Sequence, residues 1–220
     1  YEMVLQGGAI WKSYGLTITM TLTGTLVGLG IISMTGYALQ RKDFPFRNVI
    51  SFYIYFTTLF SAGLAPYYLL MTQTYKLQDN YLAVWLPLLM SSWLIILMKN
   101  FVKSIPHEIT ESGKIDGAGD MKIFTALILP MLKPILATIA LLSFRQGWNE
   151  YILPLVFTMT NDKLRPLTVG VNMLKNAGDG TAAWNIMFAG ATISIVPILI
   201  VYCCFSRFFM GGLTAGAVKG

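Results

Sequence analysis

Charge is what this chain has least of. Of its 220 residues only 12% are Asp, Glu, Lys or Arg, against about 25% in an ordinary soluble domain. So few charged groups cannot clothe a water-facing surface, and much of the exterior must face lipid. Cysteine is nearly missing: Cys203 and Cys204 are the only two. They are adjacent, so they cannot staple distant elements, and they leave the redox compartment open. The single histidine, His107, is far from them in sequence, and no metal site is expected. The net charge of +6 comes from basic residues standing singly or in pairs. No basic run interleaved with aromatics exists, so nucleic acid is not an expected partner. No G-x-x-x-x-G-K-[ST] loop exists either, because Gly113-Lys114 is followed by Ile115 and lacks the upstream glycine. The chain has no signal-peptide pattern at its start and no internal repeat.

What is abundant is long apolar sequence. The mean hydropathy is +0.61. A membrane-spanning helix needs about 20 mostly apolar residues, and five windows qualify: residues 13–40, 49–75, 80–98, 134–161 and 181–206. Four carry no charge, and the window 134–161 carries Arg145 and Glu150. The predicted fold class is therefore an all-α integral membrane protein, a single domain over residues 1–220 with five transmembrane helices. Pro66, Pro87, Pro154 and Pro197 lie in or near these windows. They are tolerated where neighbouring helices satisfy the freed backbone groups.

Lys and Arg set the orientation. One side collects Arg41, Lys42, Arg47, Lys99, Lys103, Lys114, Lys122, Lys133, Arg207 and Lys219; the other has Lys12, Lys76, Lys163, Arg165 and Lys175. The richer side is expected to be cytoplasmic. This places the C-terminus inside and Tyr1 outside, and leads to the expectation of one further span upstream of Tyr1. The connection over residues 160–182 is long and polar, as functional loops often are; it lies on the outer side.

Residues 99–133 form the longest inner connection. Pro106 suits a first helical turn, and Glu108 and Glu111 then sit near the positive end of that helix. Asp116-Gly117 signals a turn. Asp120 is placed to cap a second helix through Met121, Phe124 and Leu127, with Pro130 as its stop. The physics predicts two short interfacial helices about a glycine hinge, and nothing in the periodicity ties them to a partner.

The residues themselves add a resemblance. Glu111-Ser112-Gly113-Lys114-Ile115-Asp116-Gly117-Ala118, followed by Phe124 and Leu129-Pro130, resembles the EAA loop of ABC importer permeases. That pattern has Glu-Ala-Ala, then Asp-Gly-Ala, then a Phe and a closing Leu-Pro. The departure is at Ser112 and Gly113, where the family has alanines. Trp148-Asn149-Glu150 and Arg165-Pro166-Leu167-Thr168-Val169-Gly170 are similar to segments of carbohydrate-type members. The stretch from Gly211-Gly212-Leu213 to Ala217-Val218-Lys219-Gly220 looks like the tail of the maltose-transporter-type small permease. Taken together, the ordered matches run over nearly the whole chain.

The resemblance implies a type I importer permease, usually of six spans, in the bacterial cytoplasmic membrane, moving a carbohydrate by alternating access. It implies four kinds of partner: a second permease subunit, two ATP-binding-cassette ATPase subunits, an extracytoplasmic solute-binding protein and membrane lipid. ATP and Mg would be bound by the ATPases, with no cofactor or catalytic residue on this chain. Glu108, Glu111, Ser112, Gly113, Asp116, Gly117 and Ala118 would form the ATPase coupling surface. Gly216, Ala217, Val218 and Lys219, in a tail over residues 207–220, would make a second contact with the ATPases. Asn172, Lys175, Asn176 and Asp179 would meet the solute-binding protein.

Arg145, Trp148, Asn149 and Glu150 are the candidates for the translocation pathway. Polar groups beside an aromatic ring suit a sugar, and an ionisable group within a span normally faces a cavity or a partner. On a continuous helix, Arg145 and Asn149 share one face and Gln146 and Glu150 another. Structural bonding to a partner permease is the alternative for this group. A secondary, ATP-independent transporter is the alternative function, though it leaves the coupling-loop and tail matches unexplained. A membrane enzyme has no nucleophile or metal constellation to support it. Monosaccharide, oligosaccharide, uronate and glycerol phosphate all remain open as substrates.

Overall fold

The computed structural model describes residues 8–158, 161, 164–174 and 184–217. Among these residues every regular element is a helix. We number them α1 (Ala9–Ala38), α2 (Arg47–Leu59), α3 (Leu64–Leu69, continued by a π-turn over Leu70–Thr74), α4 (Tyr81–Leu89), α5 (Ser92–Val102), α6 (His107–Ile115), α7 (Asp120–Met131), α8 (Lys133–Asn149), α9 (Ile152–Phe157), α10 (Leu167–Met173) and α11 (Trp184–Ala217).

Among the described residues three stretches are long and apolar enough to cross a membrane: Ile10–Ala38, Tyr81–Val102 and Trp184–Cys204. Two further candidates are bent pairs, α2 with α3 at 116° and α7 with α8 at 82°, giving up to five spans. The window 49–75 is thus not one straight helix. Gly63 breaks it, at φ +83° with open space around it, a conformation that side-chain-bearing residues rarely adopt. Along α1 the hydroxyls of Thr17, Thr19 and Thr23 each donate to the carbonyl four residues back, at 2.7–2.8 Å. These polar side chains are satisfied inside their own helix, as lipid requires.

The chain divides into two units. The first takes residues 1–25, 62–88 and 143–204. It has two apolar clusters, one around Phe144, Trp148, Leu167 and Val171, the other around Met20, Met71, Val84 and Phe157. The second takes residues 26–61, 89–142 and 205–220, with a core built on Ile32, Tyr37, Ile95, Met98, Ile123, Phe124, Ile128 and Leu132. In this second unit Gly36 lets α1 approach α5 closely. A Cβ there would lie 2.5 Å from Met98 Cγ and 3.2 Å from the Lys99 backbone nitrogen.

Candidate functional site

The two helices expected in residues 99–133 are α6 and α7, and the turn between them has a definite chemistry. Gly117 adopts φ +73°. The Ala118 N–H donates to the Gly113 carbonyl at 2.9 Å and the Gly117 N–H to the Lys114 carbonyl at 3.0 Å. This is a Schellman closure with glycine at the left-handed position. It turns Glu111, Ser112, Asp116 and Gly117 outward, while Gly113 is buried and Ala118 half-buried. Ile115, at the end of α6, is 85% exposed, and Met121 at the start of α7 is 64% exposed. Glu108 is exposed on the first turn of α6.

The structure accounts for one of the two family departures. A Cβ at Gly113 would lie 3.0 Å from Ile123 Cγ1 and 3.0 Å from Leu127 Cδ1, so α6 presses on α7 at a point where even alanine is tight. Ser112 is exposed, and nothing in this structure explains its difference from alanine.

One expectation for α7 needs correction. Asp120 is the first helical residue, following Gly119 as N-cap, and makes no capping hydrogen bond. Its carboxylate is instead 2.7 Å from the Arg41 guanidinium. The helix ends at Met131, one residue past Pro130, and the chain then bends by 82° into α8. A π-turn over Ile123–Ile128 precedes that end.

From sequence, Arg41 counts only as a cytoplasmic charge. In the structure it pairs with both Asp43 and Asp120, and Lys114 on α6 reaches the same Asp43 at 2.8 Å. Hydrogen bonds from Arg41 and then Lys114 hold the Asp43 carboxyl well below the ordinary carboxylate range. The pair's contribution is therefore complete above the unfolded carboxylate pKa and fades only as pH falls through the depressed value. Asp43 therefore stays ionised throughout the physiological range. No sequence pattern marks the network, because the pairs Lys114–Asp43 and Arg41–Asp120 join residues 71 and 79 positions apart.

The pathway candidates divide. Arg145 and Asn149 are both exposed on α8, and the Asn149 amide donates to the Arg145 carbonyl at 3.0 Å. Trp148 does not share their exposure, being 2% exposed. Its indole N–H donates to the Ser194 carbonyl at 3.1 Å, and its ring stacks on Phe144 at 5.5 Å. Trp148 is a packing residue of the first unit, not a ring presented beside Arg145. Glu150 is not on the helix at all, since α8 ends at Asn149. Its carboxylate accepts the Leu153 N–H at 3.3 Å, capping the first turn of α9. The continuous-helix reading of Arg145 against Glu150 therefore fails at this break.

Residues 160–182 are not wholly a loop. They contain α10, whose Leu167, Val169 and Val171 are buried. The Leu167 N–H donates to Thr17 Oγ1 on α1 at 2.8 Å, and the Thr168 hydroxyl donates to the Glu150 carbonyl at 2.7 Å. Asn172, exposed, donates from its amide to the Tyr151 hydroxyl. The Trp148-Asn149-Glu150 and Arg165-to-Gly170 segments, separate in sequence, thus form one structural module. Lys175, Asn176 and Asp179 lie outside the described residues.

The family model described as "Binding-protein-dependent transport system inner membrane component" matches residues 27–210. The chain belongs to this family. It is 30% identical to the polygalacturonan/rhamnogalacturonan transport system permease protein YtcP of Bacillus subtilis (strain 168), covering 100% of this chain and 81% of that protein. It is also 30% identical to the arabinooligosaccharides transport system permease protein AraQ of Halalkalibacterium halodurans, covering 98% and 76%. A solved bacterial ABC transporter involved in the import of the acidic polysaccharide alginate superposes with a TM-score of 0.87 at 30% identity, covering 95% of this chain and 78% of that one. The chain is a multi-pass permease of a type I ABC importer. In this permease the expected glycine-rich tail is α-helical as far as Ala217, so Gly216 and Ala217 extend α11. Val218 and Lys219 lie outside the described residues.

Proposed function

We propose that this permease imports a carbohydrate by alternating access, driven by two ATPase subunits that dock on the α6–α7 turn. The observation carrying this reading is the exposed tip. A nearly fully exposed isoleucine, Ile115, sits beside Asp116 and Gly117 on a turn fixed by backbone hydrogen bonds. An apolar residue so exposed on a rigid turn suits insertion into a partner's cleft. The sequence similarity to oligosaccharide permeases supports the substrate class. On this reading the tip and the C-terminus are cytoplasmic, ATP and Mg are held by the ATPases, and this chain contributes no catalytic group.

The remaining partners follow in the same way. A second permease completes the pathway, with exposed Arg145 and Asn149 facing it or the substrate. A solute-binding protein docks outside on the segment with Asn172, Lys175, Asn176 and Asp179. The tail with Gly216, Ala217, Val218 and Lys219 meets the ATPases. No observation favours an ATP-independent carrier.

Coexpression with the neighbouring ATPase, permease and binding-protein genes tests the proposal. The expected result is a complex that takes up oligosaccharide only with a hydrolysis-competent ATPase. The Gly117→Trp variant should insert in the membrane and lose ATP-coupled uptake. Equal uptake with a hydrolysis-dead ATPase would sink the mechanism.

A further inference from the structure

We propose that Arg41 and Asp43 are positioning residues that fasten both helices of the coupling segment to the cytoplasmic end of α1, so that the segment and α1 move as one body. This rests on the docking reading above and extends it to how motion leaves the docking turn.

The turn by itself is a poor transmitter. Two backbone hydrogen bonds fix Gly117 and Ala118 on the end of α6, but the chain then enters α7 through Gly119, and a glycine linker bends easily. A push on Ile115 could be absorbed there. Separate tethers on α6 and α7 prevent this. Lys114, on α6, is held by Asp43 at 2.8 Å. Asp120, on α7, is held by Arg41 at 2.7 Å. Arg41 and Asp43 are paired with each other, so the two tethers share one anchor.

That anchor is an extension of α1. The Arg41 N–H donates to the Ala38 carbonyl at 3.2 Å and the Gln40 N–H to the Tyr37 carbonyl at 3.0 Å, continuing the helix as turns. The Arg47 guanidinium braces the Arg41 carbonyl at 3.4 Å. The Arg41 side chain is 18% exposed and lies 6.0 Å from the Tyr37 ring centroid. Tyr37 in turn meets Phe124 of α7 at 5.3 Å. Guanidinium is suited to the role because its fixed planar fork can serve two carboxylates at once, which an ammonium does less well. The acids and the lysine are about half exposed, and pairs that exposed add little to stability. Their value is geometric: they fix where α6 and α7 stand on α1.

The experiment uses the assembled complex with its ATPases, in a parent carrying Cys203→Ser and Cys204→Ser. Nitroxide labels go on Thr125→Cys of α7 and Met34→Cys of α1, both exposed. Their separation is measured by pulsed electron resonance without nucleotide and after trapping with ATP and vanadate. The parent should give one distance, shared by both states. Arg41→Gln should broaden the distribution at least twofold or shift it between states, while the ATPases still copurify. Arg41→Lys should fall between the two. Lys42→Gln, removing the adjacent exposed charge, should match the parent. Parent-like distances in Arg41→Gln would overturn the proposal. So would loss of ATPase copurification in that variant, since the network would then serve only to shape the docking surface. Failure of the parent itself to bind an ATPase would defeat the docking reading instead.

Discussion

The α6–α7 turn and the α8–α10 module hold their shapes by opposite means. The first uses side-chain charge: Arg41, Asp43, Lys114 and Asp120, most of them half exposed. The second uses neutral bonds to backbone: Thr168 to the Glu150 carbonyl, Leu167 N–H to Thr17, and Trp148 to the Ser194 carbonyl. The difference follows solvent. At an aqueous border a charged network costs little desolvation and fixes the direction in which each helix stands. In an apolar setting an unpaired charge is expensive, and hydroxyl and indole groups that satisfy half-buried carbonyls are the less costly joint. The charged joint sets geometry and adds little stability, and the neutral joint carries stability.

The contrast can be broken most severely at Trp148. Trp148→Ala removes a buried ring and its hydrogen bond, and should cost about 3–5 kcal/mol, read as a large fall in melting temperature of the purified complex. A melting temperature within a degree of wild type would mean that the neutral joint is not structural. Gly113→Leu comes next. With Ile123 and Leu127 already 3.0 Å from where a Cβ would stand, overpacking should cost about 1–3 kcal/mol and push α6 off α7. Loss of coupled uptake with ATPase binding kept is the outcome expected.

Smaller effects separate the joints further. Thr168→Val leaves the Glu150 carbonyl without its hydroxyl and should cost about 1 kcal/mol, with ATP coupling unchanged. Gly117→Ala has room for its methyl but not for its backbone angle, φ +73°. About 1 kcal/mol is expected from that strain, visible as weaker coupling and a small thermal shift. Arg145→Gln is expected to leave melting unchanged, because the residue is exposed on α8. If Arg145 faces the substrate, uptake of an acidic oligosaccharide should fall more than that of a neutral one. Equal loss for both would make it a contact to the partner permease.

Residue order alone carries the membrane class, because apolar length is a local property that lipid reads directly. It also carries the two short helices α6 and α7, because Pro106, Asp116-Gly117 and Pro130 bias the backbone within a few residues of themselves. Even there Asp120 takes another role, since a distant arginine intervenes. Trp148 is misread for a related reason. A Trp beside Arg and Asn reads as a sugar platform until Phe144 and Ser194 are seen around it.

Where apolar stretches, turns and the family motifs lie is settled by the order of residues, since each is written in neighbours along the chain. Folding settled the rest: which of those residues are covered, that α8 ends before Glu150, that α10 packs on α1, and that Arg41 meets Asp120 across 79 positions. Those outcomes depend on residues brought together only in three dimensions. Burial and pairing are properties of neighbours in space, and here the deciding neighbours are far apart along the chain.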